Sequence, residues 1–177
     1  MTIDPDTKNW TWVLERPCDE CGVDPAAIDP RQVGALTRAG AERWAELLAG
    51  PDVATRTRPD RWSTLEYACH VRDVYRVMQV RASRMLSEDG PQFANWDQDE
   101  TAIIDRYDEQ DPTVVARELV DAAAVVAATF DSVTDDQWSR TGFRSDGAAF
   151  TVESLARYFV HDPAHHLWDL GISDPLG

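Results

Sequence analysis

Long apolar runs are missing from this chain of 177 residues. Nowhere do about 18 apolar residues follow one another, so no transmembrane helix is predicted. Basic residues are scarce: 17 stand against 32 acidic ones, a formal net charge of −15. That deficit excludes the basic footprint that sequence-independent nucleic-acid binding needs, and it argues against docking on an anionic membrane. The stretch from Met1 to Asp6 has no basic residue and no apolar run, which predicts no secretory signal and a cytoplasmic location. Three cysteines are too few for a disulfide framework. There is no G-x-S-x-G elbow, P-loop or dinucleotide fingerprint. What remains is ordinary globular composition, 43% apolar and 28% charged, at the length of one domain covering residues 1–177. Histidine is the informative rarity. Of His70, His161, His165 and His166, three fall within six positions.

Residues 1–29 read as an irregular segment carrying Cys18-Asp-Glu-Cys21-Gly22. A first helix is predicted from about 30 to 49, where Asp29 suits the cap, Pro30 the first position, and Gly50-Pro51 the stop. A second is predicted over 64–87. Ser63 and Glu66 have the spacing of a capping box, Trp62 and Tyr67 that of a staple, and His70 shares a face with Tyr67 and Val74. A long acidic loop holding Phe93, Trp96 and Tyr107 follows to about 110, and loops of that length are often lids or binding loops. Helices over 112–132, capped by Asp111, and over 152–170, capped by Thr151, complete the pattern. Between them lies a connection with an Asp146-Gly147 turn. Four amphipathic helices without a strand pattern predict an all-α four-helix bundle.

Bundles build metal and ligand sites from side chains on facing helices. His161 and His165 are four apart, so they stack on one helix face and could chelate one divalent ion with His70 as third ligand. Three neutral imidazoles would leave a position open for water or substrate. Imidazoles at this spacing also occur merely packed or hydrogen-bonded, and that alternative stays open. His166 follows His165 directly, so either could be the second ligand; only His165 pairs with His161 by spacing, and His166 is assigned packing or hydrogen bonding beside the site. Asp73 and Asp169, three and four residues after a histidine, could fix imidazole tautomers, though ordinary solvated carboxylates would look the same. Pro163 removes a hydrogen bond within the fourth helix and predicts a kink between the two ligands.

His70 within the stretch Trp62 to Val74, together with His161-Asp-Pro-Ala-His165, resembles the DinB/YfiT-like superfamily, closest to an actinobacterial group. The stretches Asn95–Ala102, Arg144–Gly147 with Phe150–Val152, and Ala156–Leu170 carry the likeness over most of the chain. The resemblance implies a DinB-type four-helix bundle with a divalent metal, zinc or nickel, held by His70, His161 and His165. It also implies relatives that use low-molecular-weight thiols, among them mycothiol-dependent maleylpyruvate isomerases and bacillithiol S-transferases. The stretch from His165 to Gly171 is similar to the matching helix end of the mycothiol enzymes, which carry Glu where His161 stands here. A metal-dependent thiol S-transferase acting on a small molecule is the expected function. A metal-dependent hydrolase, or a metal-binding module without turnover, is the alternative. Family members often dimerise, which leaves a homodimer open.

Cys18 and Cys21 form half of a zinc knuckle, for which four ligands are needed. Two reduced thiols, a disulfide formed on oxidation, or a shared metal are the readings, in that order. Cys69, one step along the helix from His70, is expected to point away as a buried apolar residue. Trp96, Trp138 and Arg144 are candidate substrate contacts at a pocket mouth, with loop anchoring and charge neutralisation as the structural alternatives. Arg140 is read the same way as Arg144.

Overall fold

A computed structural model describes residues 8–176; the stretch read for a secretory signal lies outside them. Four long helices form the frame: α1 (Val33–Leu48), α2 (Thr64–Ser87), α4 (Pro112–Asp131) and α5 (Val152–Asp169). A short helix, α3 (Gln98–Ile104), and three short strands, β1 (Gln92–Phe93), β2 (Thr141–Arg144) and β3 (Ala149–Thr151), complete it. Among the described residues no helix is long and apolar enough to cross a membrane.

The helices start where local chemistry satisfies their free N–H groups. Ser63 Oγ accepts from the Glu66 N–H at 3.2 Å while Glu66 Oε2 accepts from the Ser63 N–H at 2.8 Å, and the Trp62 and Tyr67 rings meet edge-on at 5.6 Å. Asp111 caps α4 through the Thr113 and Val114 N–H groups, and Thr151 caps α5 through Ser154. Asp29 caps a 3-10 turn, Pro30–Gln32, from which α1 grows. Helix α4 packs on α1 and α2, and α5 touches both. The core between them includes Trp44, Tyr75, Leu119, Phe130 and Phe159, with Phe130 stacked on Phe159 at 5.7 Å.

Three sequence expectations need correction. The acidic connection after α2 is not a bare loop. It pairs β1 with β2, forms α3 on an Asp97 cap, and closes with a 3-10 turn at Tyr107–Glu109. Its aromatic side chains anchor it: Phe93 and Tyr107 are buried, and the Trp96 Nε1–H donates to Thr101 at 2.8 Å. The connection before α5 is a hairpin, β2 antiparallel to β3 with Gly142 opposite Phe150, turned by Gly147 at φ +93°. Arg140 is not aimed at a substrate. Its Nε donates to the Met85 carbonyl at 2.6 Å and its Nη2 to the Glu88 carbonyl at 2.6 Å, closing the end of α2.

Asp73 is likewise taken up structurally. It accepts from Arg72 at 3.0 Å, from Arg76 at 3.0 Å and from the Tyr107 hydroxyl at 2.6 Å. Burial alone would raise its pKa, but Arg72 and Tyr107 outweigh burial and lower it. A lowered carboxylate pKa stabilises the fold above its unfolded value, about pH 4, and that contribution fades on acidification. Asp73→Ala is therefore expected to cost about 3 kcal/mol at neutral pH. In urea denaturation the gap from the parent should narrow progressively below about pH 4; a gap independent of pH would contradict this assignment.

Candidate metal centre

The four histidines divide between two clusters rather than meeting at one. His70 on α2 gathers with Asp162 and His166 on α5; His161 and His165 gather with Cys18 and Cys21. Successive helix residues point about 100° apart, so α5 carries two interleaved i, i+4 pairs on different faces. Asp162 and His166 look towards α2, while His161 and His165 look towards the N-terminal segment. Helix α5 runs through Pro163 from Val152 to Asp169 without interruption.

In the first cluster the three ligand atoms lie within 4.8 Å of one another. His70 Nε2 is 3.3 Å from Asp162 Oδ1, and His166 Nε2 is 3.8 Å from the same oxygen. Nitrogen and oxygen donors bound to one cation at about 2.0–2.2 Å stand roughly 3–3.5 Å apart, so the spacing suits a shared cation after small adjustment. His70 is fully buried, and its Nδ1 has no hydrogen-bond partner among the described residues. Trp96 stacks flat on its ring at 5.5 Å, with 11° between the planes, and Trp62 flanks it at 5.4 Å.

His166 Nδ1 and Asp169 Oδ2 are 3.1 Å apart. With the proton on Nδ1, that contact leaves Nε2 as the lone-pair nitrogen facing Asp162. Arg61 stands 3.4 Å from Asp169 Oδ1 and donates to its carbonyl at 2.9 Å. Burial would raise the Asp162 carboxyl; the neighbouring His70 and His166 overcome it and hold the group well below the usual carboxylate range. Asp162 is thus an anion poised beside two imidazoles.

Asp162, His166 and Asp169 open onto a cavity of about 290 Å³, which His161 and His165 also line and His70 does not. Trp62, Tyr67 and Tyr158 form apolar and phenolic walls, and the N-terminal segment adds Trp10 and Glu20. Five carboxylates line it (Glu20, Asp60, Asp99, Asp162 and Asp169) against Lys8 and Arg61, a balance that favours a cation. Burial, and next the nearby carboxylates Asp169 for Tyr67 and Asp162 for Tyr158, raise both phenols, which therefore stay protonated donors at neutral pH.

His161 and His165 do not join His70. His161 Nε2 is 3.6 Å from Cys21 Sγ, and His165 Nδ1 is 3.7 Å from Cys18 Sγ. Burial, with His165 beside it, brings His161 down to about 4, so its ring is neutral at neutral pH. Burial also pushes the Cys21 thiol up to about 12, and the Cys69 thiol likewise; Cys69 faces the Tyr107 carbonyl.

Trp96 therefore stands against the cluster, whereas Trp138 is buried in the core and Arg144 pairs with Asp146 at 2.7 Å. Neither Trp138 nor Arg144 lines the cavity. Asp169 bears on His166 rather than His165, from which it is 4.0 Å away. Asp162 is the residue that sequence reasoning passed over; its signal was the same four-residue spacing to His166 that singled out His161 and His165.

The architecture has known counterparts. The structure of YfiT from Bacillus subtilis, a probable metal-dependent hydrolase with an unusual four-helix bundle topology, superposes with a TM-score of 0.65. Identity is 21% over 86% of this chain and 84% of that one. The mycothiol-dependent maleylpyruvate isomerase superposes with a TM-score of 0.65 at 15% identity, over 85% of this chain and 64% of that one. These likenesses show a shared fold. No curated protein sequence matches the chain. The model of the DinB superfamily matches residues 35–170, from α1 through the end of α5. The chain belongs to the DinB superfamily.

Proposed function

We propose that the chain is a divalent-metal-dependent enzyme acting on a small molecule, with His70, Asp162 and His166 as the cation's ligands. The observation that carries this reading is the convergence of two imidazoles and an ionised carboxylate from two helices, with Asp162 and His166 at the wall of an acidic cavity and His70 buried behind them. The donor set suits zinc, nickel or a similar borderline cation. When bound, such a cation acts as a Lewis acid and lowers the pKa of a coordinated nucleophile, thiol or water.

The chain's own residues have distinct tasks in this reading. Asp169 holds the His166 ring by its Nδ1 edge, and Arg61 holds Asp169. Trp96 and Trp62 keep bulk water from His70. The Tyr67 and Tyr158 hydroxyls, protonated and facing the cavity, donate to negative charge that develops on a substrate oxygen.

A low-molecular-weight thiol of the mycothiol type is the first proposed nucleophile, making the enzyme a thiol S-transferase. It is supported by the superfamily membership, by the fold shared with the mycothiol-dependent isomerase, and by the similarity of the His165–Gly171 stretch. Water is the second, supported by the fold shared with YfiT. Metal-loaded protein, offered electrophiles with and without mycothiol and a panel of esters and amides, separates them. Thiol-dependent loss of the electrophile is expected for the first, and thiol-independent release of acid for the second. Metal-loaded protein that turns over neither class would overturn the enzymatic reading.

A further inference from the structure

We propose that Cys18, Cys21, His161 and His165 form a structural zinc site, separate from the cation site on the other face of α5. All four ligand atoms lie within 4.8 Å of one another. Sulfur at about 2.3 Å and nitrogen at about 2.05 Å from one tetrahedral zinc would stand about 3.6 Å apart. The two sulfur–nitrogen pairs stand at 3.6 and 3.7 Å. These sulfur–nitrogen contacts are of hydrogen-bond length for the metal-free thiols, and they match the edges of that tetrahedron.

The local backbone is shaped for metal-bound thiolates. Cys18 and Cys21 are free thiols brought side by side by a tight turn, in which the Gly22 N–H donates to the Cys18 carbonyl at 2.9 Å. The Cys18 N–H donates to the Val23 carbonyl at 2.8 Å. Gly22 has φ +75°, the left-handed conformation that a side chain would strain. Two thiolates and one zinc ion sum to zero charge, which suits a buried position better than any other state of the cluster.

The site is closed. Relative exposures are 2% for Cys18, 9% for Cys21, 3% for His161 and 6% for His165. Trp10 covers both rings, at 5.5 Å from His161 and 4.9 Å from His165. Four protein ligands and no open position are the mark of a structural rather than a catalytic zinc. The two ligand pairs lie about 140 residues apart in sequence, so the ion would fasten the N-terminal segment onto α5. That segment brings Trp10 and Glu20 to the cavity wall, and the zinc would hold the wall in place.

The experiment uses the full untagged chain purified under reducing conditions, loaded with zinc alone for X-ray absorption and with cobalt alone for optical spectra. The expected zinc shell has two sulfurs at about 2.3 Å and two nitrogens at about 2.0 Å. The cobalt form should show thiolate-to-metal charge transfer and the strong visible bands of tetrahedral cobalt. Cys18→Ser should cut the charge-transfer band to about half or less, the Cys18→Ser/Cys21→Ser double variant should abolish it, and Asp162→Asn should keep it whole. A sulfur-free shell in the parent protein, a Cys18–Cys21 disulfide with no sulfur-bound metal, or a charge-transfer band that survives the double substitution would overturn the site. The absorption measurement on the parent stands even where a variant fails to fold. Because only this cluster contains sulfur, its failure reads separately from failure of the His70–Asp162–His166 site.

Discussion

Asp162→Ala is expected to abolish cation binding between α2 and α5 while leaving the fold intact. The side chain reaches the cavity and carries the only carboxylate in its cluster. Disturbing a carboxylate that merely orients a ligand costs about 10–100-fold in metal affinity, and removing a ligand itself should cost more. Metal catalysis contributes several kcal/mol to transition-state stabilisation, so turnover should fall by roughly a thousandfold or more. Elemental analysis of dialysed protein gives the direct comparison. The parent should hold two equivalents, and Asp162→Ala should lose the one that is not sulfur-bound. His161→Ala should lose the sulfur-bound equivalent and keep the other. The reverse pattern would restore the grouping of His70 with His161 and His165 that spacing alone suggests.

Stripping zinc from the Cys18–Cys21–His161–His165 cluster is expected to lower the melting temperature by about 10 °C. A ligand at about a thousand times its dissociation constant stabilises the folded state by about 4 kcal/mol. In a chain of this size each kcal/mol moves the midpoint by roughly 2–4 °C. Scanning calorimetry with and without a chelator measures the shift. Cys18→Ser should start at the lower temperature and respond little to the chelator. A parent protein whose midpoint ignores both chelator and added zinc would contradict a structural role.

Much of the frame was legible in the residues. Where a cap, a staple and a periodic apolar face coincide, as from Ser63 along α2, helix boundaries could be read closely. The small sheet could not. Its strands are two to four residues long, and β1 pairs with a strand some fifty residues away, so no window shows the pattern. Helix α3 has seven residues and none of them is buried, which leaves it without an apolar stripe.

The site shows a different limit. Spacing singled out α5 as the candidate ligand-bearing helix but could not say which of its faces met which partner. His161 and His165 attract notice because histidine is rare here; Asp162 does not, because it is one of 32 acidic residues in the sequence. Setting the likeness to the mycothiol enzymes in register on His161 placed a glutamate opposite it. In the structure the carboxylate beside His70 stands one residue later, at Asp162. The same choice left Cys18 and Cys21 as half a zinc site. Two cysteines three apart and two histidines four apart complement each other in a Cys₂His₂ set, a pairing hidden by the length of chain between them.

Anomalous diffraction at the zinc and nickel edges, on crystals of untagged protein, tests the division of ligands most directly. A peak bounded by His70, Asp162 and His166, distinct from any density near Cys18 and Cys21, is the predicted result. A single peak coordinated jointly by His70, His161 and His165, or crystals grown with added metal that show no peak beside Asp162, would contradict it.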